Sequence, residues 1–332
     1  MARRGPIRLY WAAAAAAAVL VIPGCVDLEA AEGRFQRTLN VSGAPEIDVS
    51  TGSGSVEVRA GGDGRIEITG HIRASEGWRG DGSRRAEERV RRLEAEPPIE
   101  QSGNLIRIGR IADDELRRGV SISYVLRVPA ASRLKARTGS GSHDIEGVNG
   151  PVDAESGSGS VTLTRLGGSA RGSTGSGSIQ ANGIAGALTV STGSGSIRAE
   201  GVNGAIHART GSGGIDITQT GQGDVDAQSG SGTVRLRGIR GAVSASTGSG
   251  GIDIEGALAG DWRLSASSGS VSVGLPPDQG FVLDATTGSG SIDVGRPLTI
   301  EGRVDRKRLR GTVGSGGPLL HVRTGSGGVQ IR

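Results

Sequence analysis

The tripeptide Gly-Ser-Gly returns along this chain with its first Gly at 139, 157, 175, 193, 211, 230 and 248, so every step is 18 residues except one of 19. Looser or displaced copies follow at Ser267-Ser268-Gly269, Gly288, Gly314 and Gly325, and an isolated early copy stands at Gly52. A period this regular in the 20-residue range is the signature of a stacked solenoid, where each repeat is one structural unit resting on its neighbours. The 61 glycines and 11 prolines among 332 residues would otherwise suggest low complexity. Here the glycines are periodic, and apolar and polar residues alternate between them, which is the pattern of half-buried strands.

The apolar positions keep register from coil to coil. Just after the turn runs a column of His143, Val161, Ile179, Ile197, Ile215, Val234, Ile252, Val271 and Ile292. Two residues on comes a second, from Ile145 and Leu163 to Val273 and Val294. A third column, Val148, Leu166, Ile184, Val202, Ile239 and Leu258, falls between glycines. Before each turn stand Leu134, Val152, Ala170, Leu188, Ile206, Val225, Val243 and Trp262. Each coil therefore holds two short strands that turn alternate side chains inward and meet at Gly-rich corners. One coil alone cannot bury its inner face, whereas stacked coils can. The fold expected is all-β, a right-handed parallel β-helix of about 18-residue coils. Ten or so coils at about 4.8 Å each make a rod roughly 50 Å long. Glycine serves the corner by its conformational freedom and by leaving room for the next coil's backbone.

Aromatic residues are few, so the core must be thin and aliphatic. The net charge of +4 falls to +1 without Arg3, Arg4 and Arg8, and the remaining arginines are interspersed with Asp and Glu. Such a mixed surface predicts no nucleic-acid partner.

Residues 1–24 read as a signal peptide: a basic start, an Ala-rich apolar run from Leu9 to Ile22, then small residues. The run is short for a membrane span of about 20 residues. Cys25 is the chain's one cysteine, which excludes an internal disulfide. Ile22-Pro23-Gly24-Cys25 resembles a bacterial lipobox, with Pro23 where a small or aliphatic residue is usual. The expectation is lipidation at Cys25, a membrane partner through that anchor, and a tether over 25–45. The alternative is a plain signal peptide with an incidental Cys.

Residues 46–332 then form a single repeat domain: opening strands over 46–130, regular coils over 131–295, irregular C-terminal coils over 296–332. Ser83 caps an expected helix running to about Glu94, with Ala86, Val90 and Leu93 on one face, and Pro97-Pro98 prevents its continuation. This helix is the candidate N-terminal cap. Its basic face (Arg84, Arg85, Arg89, Arg91, Arg92) reads as solvated, with Glu87–Arg91 and Glu88–Arg92 pairs. The last strand pair, Leu319–Arg323 and Val329–Arg332, ends the chain without an evident cap. An uncovered end coil invites end-to-end self-association or a partner.

Chemistry is harder to find. The four histidines (71, 143, 207, 321) lie apart, His143 inward and His207 outward beside Asp226. With one cysteine, they offer no metal-ligand spacing. Gly211-Ser-Gly-Gly-Ile-Asp216 and Gly248-Ser-Gly-Gly-Ile-Asp253 echo a calcium nonapeptide, yet other coils carry Thr162, Gln180 or Arg198 where it needs Asp. Arg198, Asp216, Arg235 and Asp253 read instead as a column of alternating sign. Outward Asp144, Asp153, Glu155 and Asp226 are the carboxylates from which a glycosidase pair would be drawn. The corners are too short to build a groove, and no Lys-Ser/Thr follows the glycines as a phosphate loop requires. No catalytic, cofactor-binding or metal residue is assigned.

Val125-Leu-Arg-Val-Pro129, then Leu134-Lys-Ala-Arg-Thr-Gly-Ser-Gly141, and the repeated Gly-Val-Asn-Gly and Thr-Gly-Ser-Gly-Ser-Ile segments resemble the bacterial putative-adhesin β-strand-repeat family. These are exported proteins of unknown function built of Gly-Ser-Gly β-helix coils, and the resemblance covers about residues 46–332. It implies the same fold and a place at the cell envelope, and it brings no catalytic residues. The functional expectation is a lipid-anchored structural or adhesion module with a protein or glycan partner at the envelope. The alternative is a β-helix that binds or cleaves polysaccharide.

Overall fold

The computed structural model describes residues 30–75, 82–300, 305 and 307–332. Two long sheets, of 14 and 15 strands, face each other across a narrow core, and each coil gives one strand to each sheet. The registers are those of the sequence columns: Val161 pairs with His143 and with Ile179, and Ile206 with Leu188 and with Val225. The inward residues are almost wholly buried, among them Ile145, Val148, Leu166, Ile184, Val202, Ile239 and Leu258. Trp262, the bulkiest member of its column, is fully buried, and its indole N–H donates to the Gly241 carbonyl at 2.9 Å.

The coil with the 19-residue step accommodates its extra residue at Gln219, which takes the place of the missing apolar member of the third column. Gln219 is buried, and its amide donates to the carbonyls of Gly204 at 3.1 Å and Gly223 at 3.0 Å. The ladder shifts register there, between Glu200 and Val202 of the preceding strand.

The corners are Gly-rich chiefly because coils touch there. A β-carbon placed on Gly195 would lie 1.9 Å from the Gly177 carbonyl oxygen, and one on Gly193 would lie 2.4 Å from that of Gly175. No side chain fits between backbones so close. The left-handed conformation is used at the opposite corner instead, at Gly147, Gly183, Gly201 and Gly238, with Arg165 (φ 51°) in the same column.

Beside each Gly-Ser-Gly runs a column of buried hydroxyls. Thr138, Ser156, Thr174, Thr192, Thr210, Ser229 and Thr247 each donate to a glycine carbonyl of the preceding coil at 2.8–2.9 Å. Each also accepts the amide of the second Gly in its own corner.

Both ends depart from sequence order. The first coil, Glu46–Thr51 with Val56–Gly61, lies between the coil of Leu105–Ile108 and Val120–Pro129 and the coil of Arg133–Thr138 and His143–Glu146. At the other end the last strand pair, Leu319–Thr324 and Val329–Ile331, slots between the coil of Trp262–Ala266 and Val271–Gly274 and that of Phe281–Thr287 and Ile292–Val294. The expected succession of Ile292 and Val294 directly after Val271 and Val273 is thus corrected: Val329 and Ile331 stand between them. So is the expectation of an uncovered last coil, since residues 319–331 are interior.

Antiparallel strands blunt the ends. Arg65–Ala74 pairs with Val120–Pro129, and Ala31–Asn40 pairs with Arg65–Ala74. Ile99–Ser102 folds back on Leu105–Ile108. Within the stretch 25–45 expected as a tether, Ala31–Asn40 is instead a ten-residue cap strand, buried at Phe35, while residues 25–29 lie outside the described residues. Helix α1 (Gly82–Ala95) buries Ala86, Val90 and Leu93 and packs on these cap strands, as a cap helix should. A second, four-residue helix, α2 (Asp114–Arg117), adds to the one the sequence pattern indicates. Asp113 caps it by accepting the amides of Glu115 at 2.8 Å and Leu116 at 3.4 Å. At the far end Arg308–Val313 pairs antiparallel with Phe281–Thr287 and carries Leu298–Ile300 outside it. Covered and shortened edges of this kind discourage sheet-to-sheet joining.

Candidate functional site

With the interior given over to packing, what distinguishes one coil from the next lies on the outer faces and at the ends. On one sheet the column Arg198, Asp216, Arg235, Asp253 is in register, as its alternating signs suggested. Its members also pair sideways: Asp216 with Arg237 at 3.2 Å, Arg198 with Glu200 at 2.7 Å. Asp216 is thus occupied by a cation. Nearer the start, Arg59 bridges Asp144 at 2.6 Å and Glu146 at 3.1 Å, and Arg165 also reaches Glu146.

The other sheet's outer face carries Arg137 between Asp48 (3.1 Å) and Glu155 (3.6 Å). Asp226 receives Arg209 at 3.4 Å and His207 at 3.7 Å. Asp284 receives Arg310 at 3.0 and 3.1 Å and His321 at 3.5 Å. The hydrogen bonds from Arg310 hold the Asp284 carboxyl below the usual carboxylate range, against a smaller opposing effect of burial. Pairs this exposed each contribute about 0–1 kcal/mol, so they order the surface more than they hold the fold.

The four carboxylates considered for glycoside chemistry are not brought together in one place. Asp153 and Glu155 stand two residues apart on the outward face of one strand, where Arg137 pairs with Glu155 at 3.6 Å, and Asp144 lies on the opposite sheet. Asp226 is four coils from Asp153 rather than a neighbour, roughly 19 Å at the usual strand spacing. Gln219 and the 19-residue step do not change that separation, because the parallel pairing runs unbroken through both strands of that coil.

His143 is buried and faces inward. Its Nε2 is 2.8 Å from the Glu155 carbonyl, Nδ1 has no partner among the described residues, and burial pushes the imidazole below its usual value. Among the described residues no three His, Cys, Asp or Glu side chains are grouped as a metal site would group them. Cys25 and residues 1–24 lie outside the described residues.

The basic helix face forms one wall of a groove of about 580 Å³ whose other wall carries Asp113, Glu115 and Arg118. Glu87–Arg91 (3.6 Å) and Glu88–Arg92 (3.3 Å) pair as the helical spacing required. Arg89 behaves differently from its neighbours. It is only 9% exposed, and its guanidinium donates to the carbonyls of Arg85 (3.2 Å) and Arg118, joining α1 to the residue after α2. Sequence spacing alone gave no sign of this, since its acceptors are main-chain.

A family model for Toastrack DUF4097 matches residues 121–332, well over half of the chain. The chain belongs to the Toastrack DUF4097 family. The Toastrack match begins inside strand Val120–Pro129, so it takes in the regular coils, the interposed last coil and the C-terminal hairpin. The first coil and the cap of strands and α1 precede it. A crystal structure of a putative cell adhesion protein from Clostridium sporogenes is similar at 12% identity, over 90% of this chain and 99% of that one, with a TM-score of 0.20. No curated protein matches the chain.

Proposed function

We propose that this Toastrack protein is exported, anchored by lipid at Cys25, and acts as a structural or adhesion module of the cell envelope without catalysis. The observation that carries this reading is the division of labour within each coil. Inward positions stay mostly small or aliphatic and corner positions mostly glycine, held by packing and close backbone approach, while the outward residues change in charge and polarity from coil to coil, and these lie on the outer faces of two long sheets of short-cornered coils. Regularly spaced polar faces on a stacked scaffold suit recognition over an extended surface. The basic, then Ala-rich, then small-residue sequence of 1–24 and the lipobox-like Ile22–Cys25 support export and anchoring.

Two measurements test the reading. In cells making the full chain, palmitate labelling and membrane partition should both be lost in Cys25→Ala, and an unlabelled, freely released wild-type chain would reject the anchor. The exported protein should bind purified envelope material without consuming it. Release of soluble saccharide from that material by the protein would instead establish the polysaccharide-cleaving alternative.

A further inference from the structure

Every corner in the body of the stack rests on the corner of the coil before it. Gly139 donates its amide to the Thr51 carbonyl at 3.2 Å, and Ser140 donates to Gly52 at 3.1 Å. The same pair of bonds recurs at the far end, where Gly288 donates to Thr324 at 3.0 Å and Ser289 to Gly325 at 3.1 Å. The corner at Gly52-Ser53 lacks this pair of bonds, although Thr51 donates to the Ile122 carbonyl of the coil below at 2.7 Å and Gly54 rests against that same carbonyl. The coil below follows the ladder as far as Ile108, then Gly109 (φ 89°) turns the chain away, and residues 110–119 bow outward through α2.

Two observations show the consequence. A β-carbon on Gly139 would lie 2.4 Å from the Gly52 carbonyl oxygen, whereas one on Gly52 would meet nothing within 4 Å. The amides of Gly52 and Ser53, which by the repeat of the stack face away from Gly139, have no acceptor among the described residues. They border a recess of about 1080 Å³ between this corner and the bowed loop. Tyr124 also lines it. Its side chain is 1% exposed, and its hydroxyl lacks any hydrogen-bond partner among the described residues.

A buried hydroxyl without a partner costs about 1–3 kcal/mol and calls for an explanation. Arg110 in the lining is exposed and has no ion pair among the described residues, while Arg73 and Arg117 at the same recess are held by Glu32 (2.9 Å) and Asp114 (2.6 Å). Glu100 is the lining carboxylate. The lining of the recess thus includes the corner amides, the tyrosine hydroxyl and a guanidinium with no ion pair among the described residues. Successive backbone amides of this kind make anion-binding concavities.

We infer that the recess is an oxyanion site, in which the amides of Gly52 and Ser53, the Tyr124 hydroxyl and the Arg110 guanidinium receive a carboxylate or phosphate group. The volume exceeds that of a bare anion and falls near the upper end of small-molecule pockets, about 300–1,000 Å³, so the anion would be carried on a body of at least sugar size. This site is independent of the anchor and of the outer faces.

The test uses the full chain, labelled with nitrogen-15 and titrated separately with acetate, galacturonate and inorganic phosphate. The amide resonances of Gly52 and Ser53 should move. A preference for galacturonate over acetate assigns an acidic sugar, and a preference for phosphate assigns a phosphorylated ligand. Arg110→Ala should weaken binding about tenfold and Tyr124→Phe about fivefold. Tyr124→Phe should not lower the unfolding midpoint, because its hydroxyl has no partner to lose. Arg171→Ala, on an outer face in mid-stack, should bind as wild type. Unmoved Gly52 and Ser53 amides up to about 50 mM of all three anions would overturn the site, as would undiminished affinity in both Arg110→Ala and Tyr124→Phe.

Discussion

The Thr192 hydroxyl donates to the Gly177 carbonyl of the preceding coil at 2.8 Å, and accepts the Gly195 amide of its own corner at 3.1 Å. One buried oxygen thereby fixes the turn of its own coil and its seat on the preceding one. Replacing Thr192 by Val keeps the shape and strands both partners, so it should cost about 2–4 kcal/mol. Thr192→Ser should cost less than about 1 kcal/mol, because Ser156 and Ser229 make the same two bonds elsewhere in the column. Urea unfolding midpoints of the two variants check the difference, and equal midpoints would refute the role given to the hydroxyl.

One member of the column is missing. Ala266 occupies the hydroxyl position of its coil and is buried, and the next coil resumes with Thr324, which donates to Gly269 at 2.7 Å. Ala266→Ser should supply the absent donor to the Gly250 carbonyl and the absent acceptor for Gly269. The gain expected is about 0.5–1.5 kcal/mol, read as a raised midpoint in the same urea series.

The two kinds of corner glycine make opposite predictions. Gly195→Ala sets a methyl 1.9 Å from the Gly177 oxygen, and the coils must separate to admit it. The loss should exceed about 4 kcal/mol, in the range reserved for severe core defects. Gly62→Ala meets nothing within 4 Å and should change stability by less than about 0.5 kcal/mol. Soluble yield and circular dichroism melting of the pair distinguish contact from mere glycine content.

Much of this architecture was legible because it repeats. The columns from Val161 to Val271 could be written from spacing alone, since every coil must bury the same positions against the same neighbours. What the sequence concealed lies where repetition stops. Nothing in Leu319–Ile331 distinguishes an end coil from an interposed one, because its Thr-Gly-Ser-Gly corner fits any place in the stack. The strand Ala31–Asn40 alternates weakly, with Phe35 its one fully buried residue, so its sequence carries little strand signal. The recess did leave a trace: Gly52 stands as a lone early copy with no copy before it to rest upon. That trace became meaningful only once the coil below was seen to leave the ladder at Gly109.

Arg165 is the one described residue other than glycine with positive φ, in a column otherwise held by Gly147, Gly183 and Gly201. A side chain in that conformation costs about 1–2 kcal/mol, partly offset by the greater unfolded-state freedom that glycine would bring. Its ion pair with Glu146 is largely exposed on the Arg165 side and offsets little. Arg165→Gly should therefore raise stability by up to about 1 kcal/mol. A loss larger than that in the urea midpoint would mean the ion pair outweighs the backbone strain.

His143 predicts a pH dependence. Its column is Val56 below and Val161 above, and its ring is buried with Nε2 engaged by the Glu155 carbonyl. Burial lowers its folded-state pKa, so the unfolded chain takes up a proton first as pH falls. Stability from this group is complete above the unfolded value of about 6.5 and declines as pH drops from there toward the folded value. His143→Val matches the column and removes the titration. Between about pH 7 and 5 the wild type should lose stability more steeply than His143→Val, while the carboxylates, common to both, cancel in the difference. Parallel stability curves across that window would show that the His143 imidazole takes its proton as readily in the folded stack as in the unfolded chain.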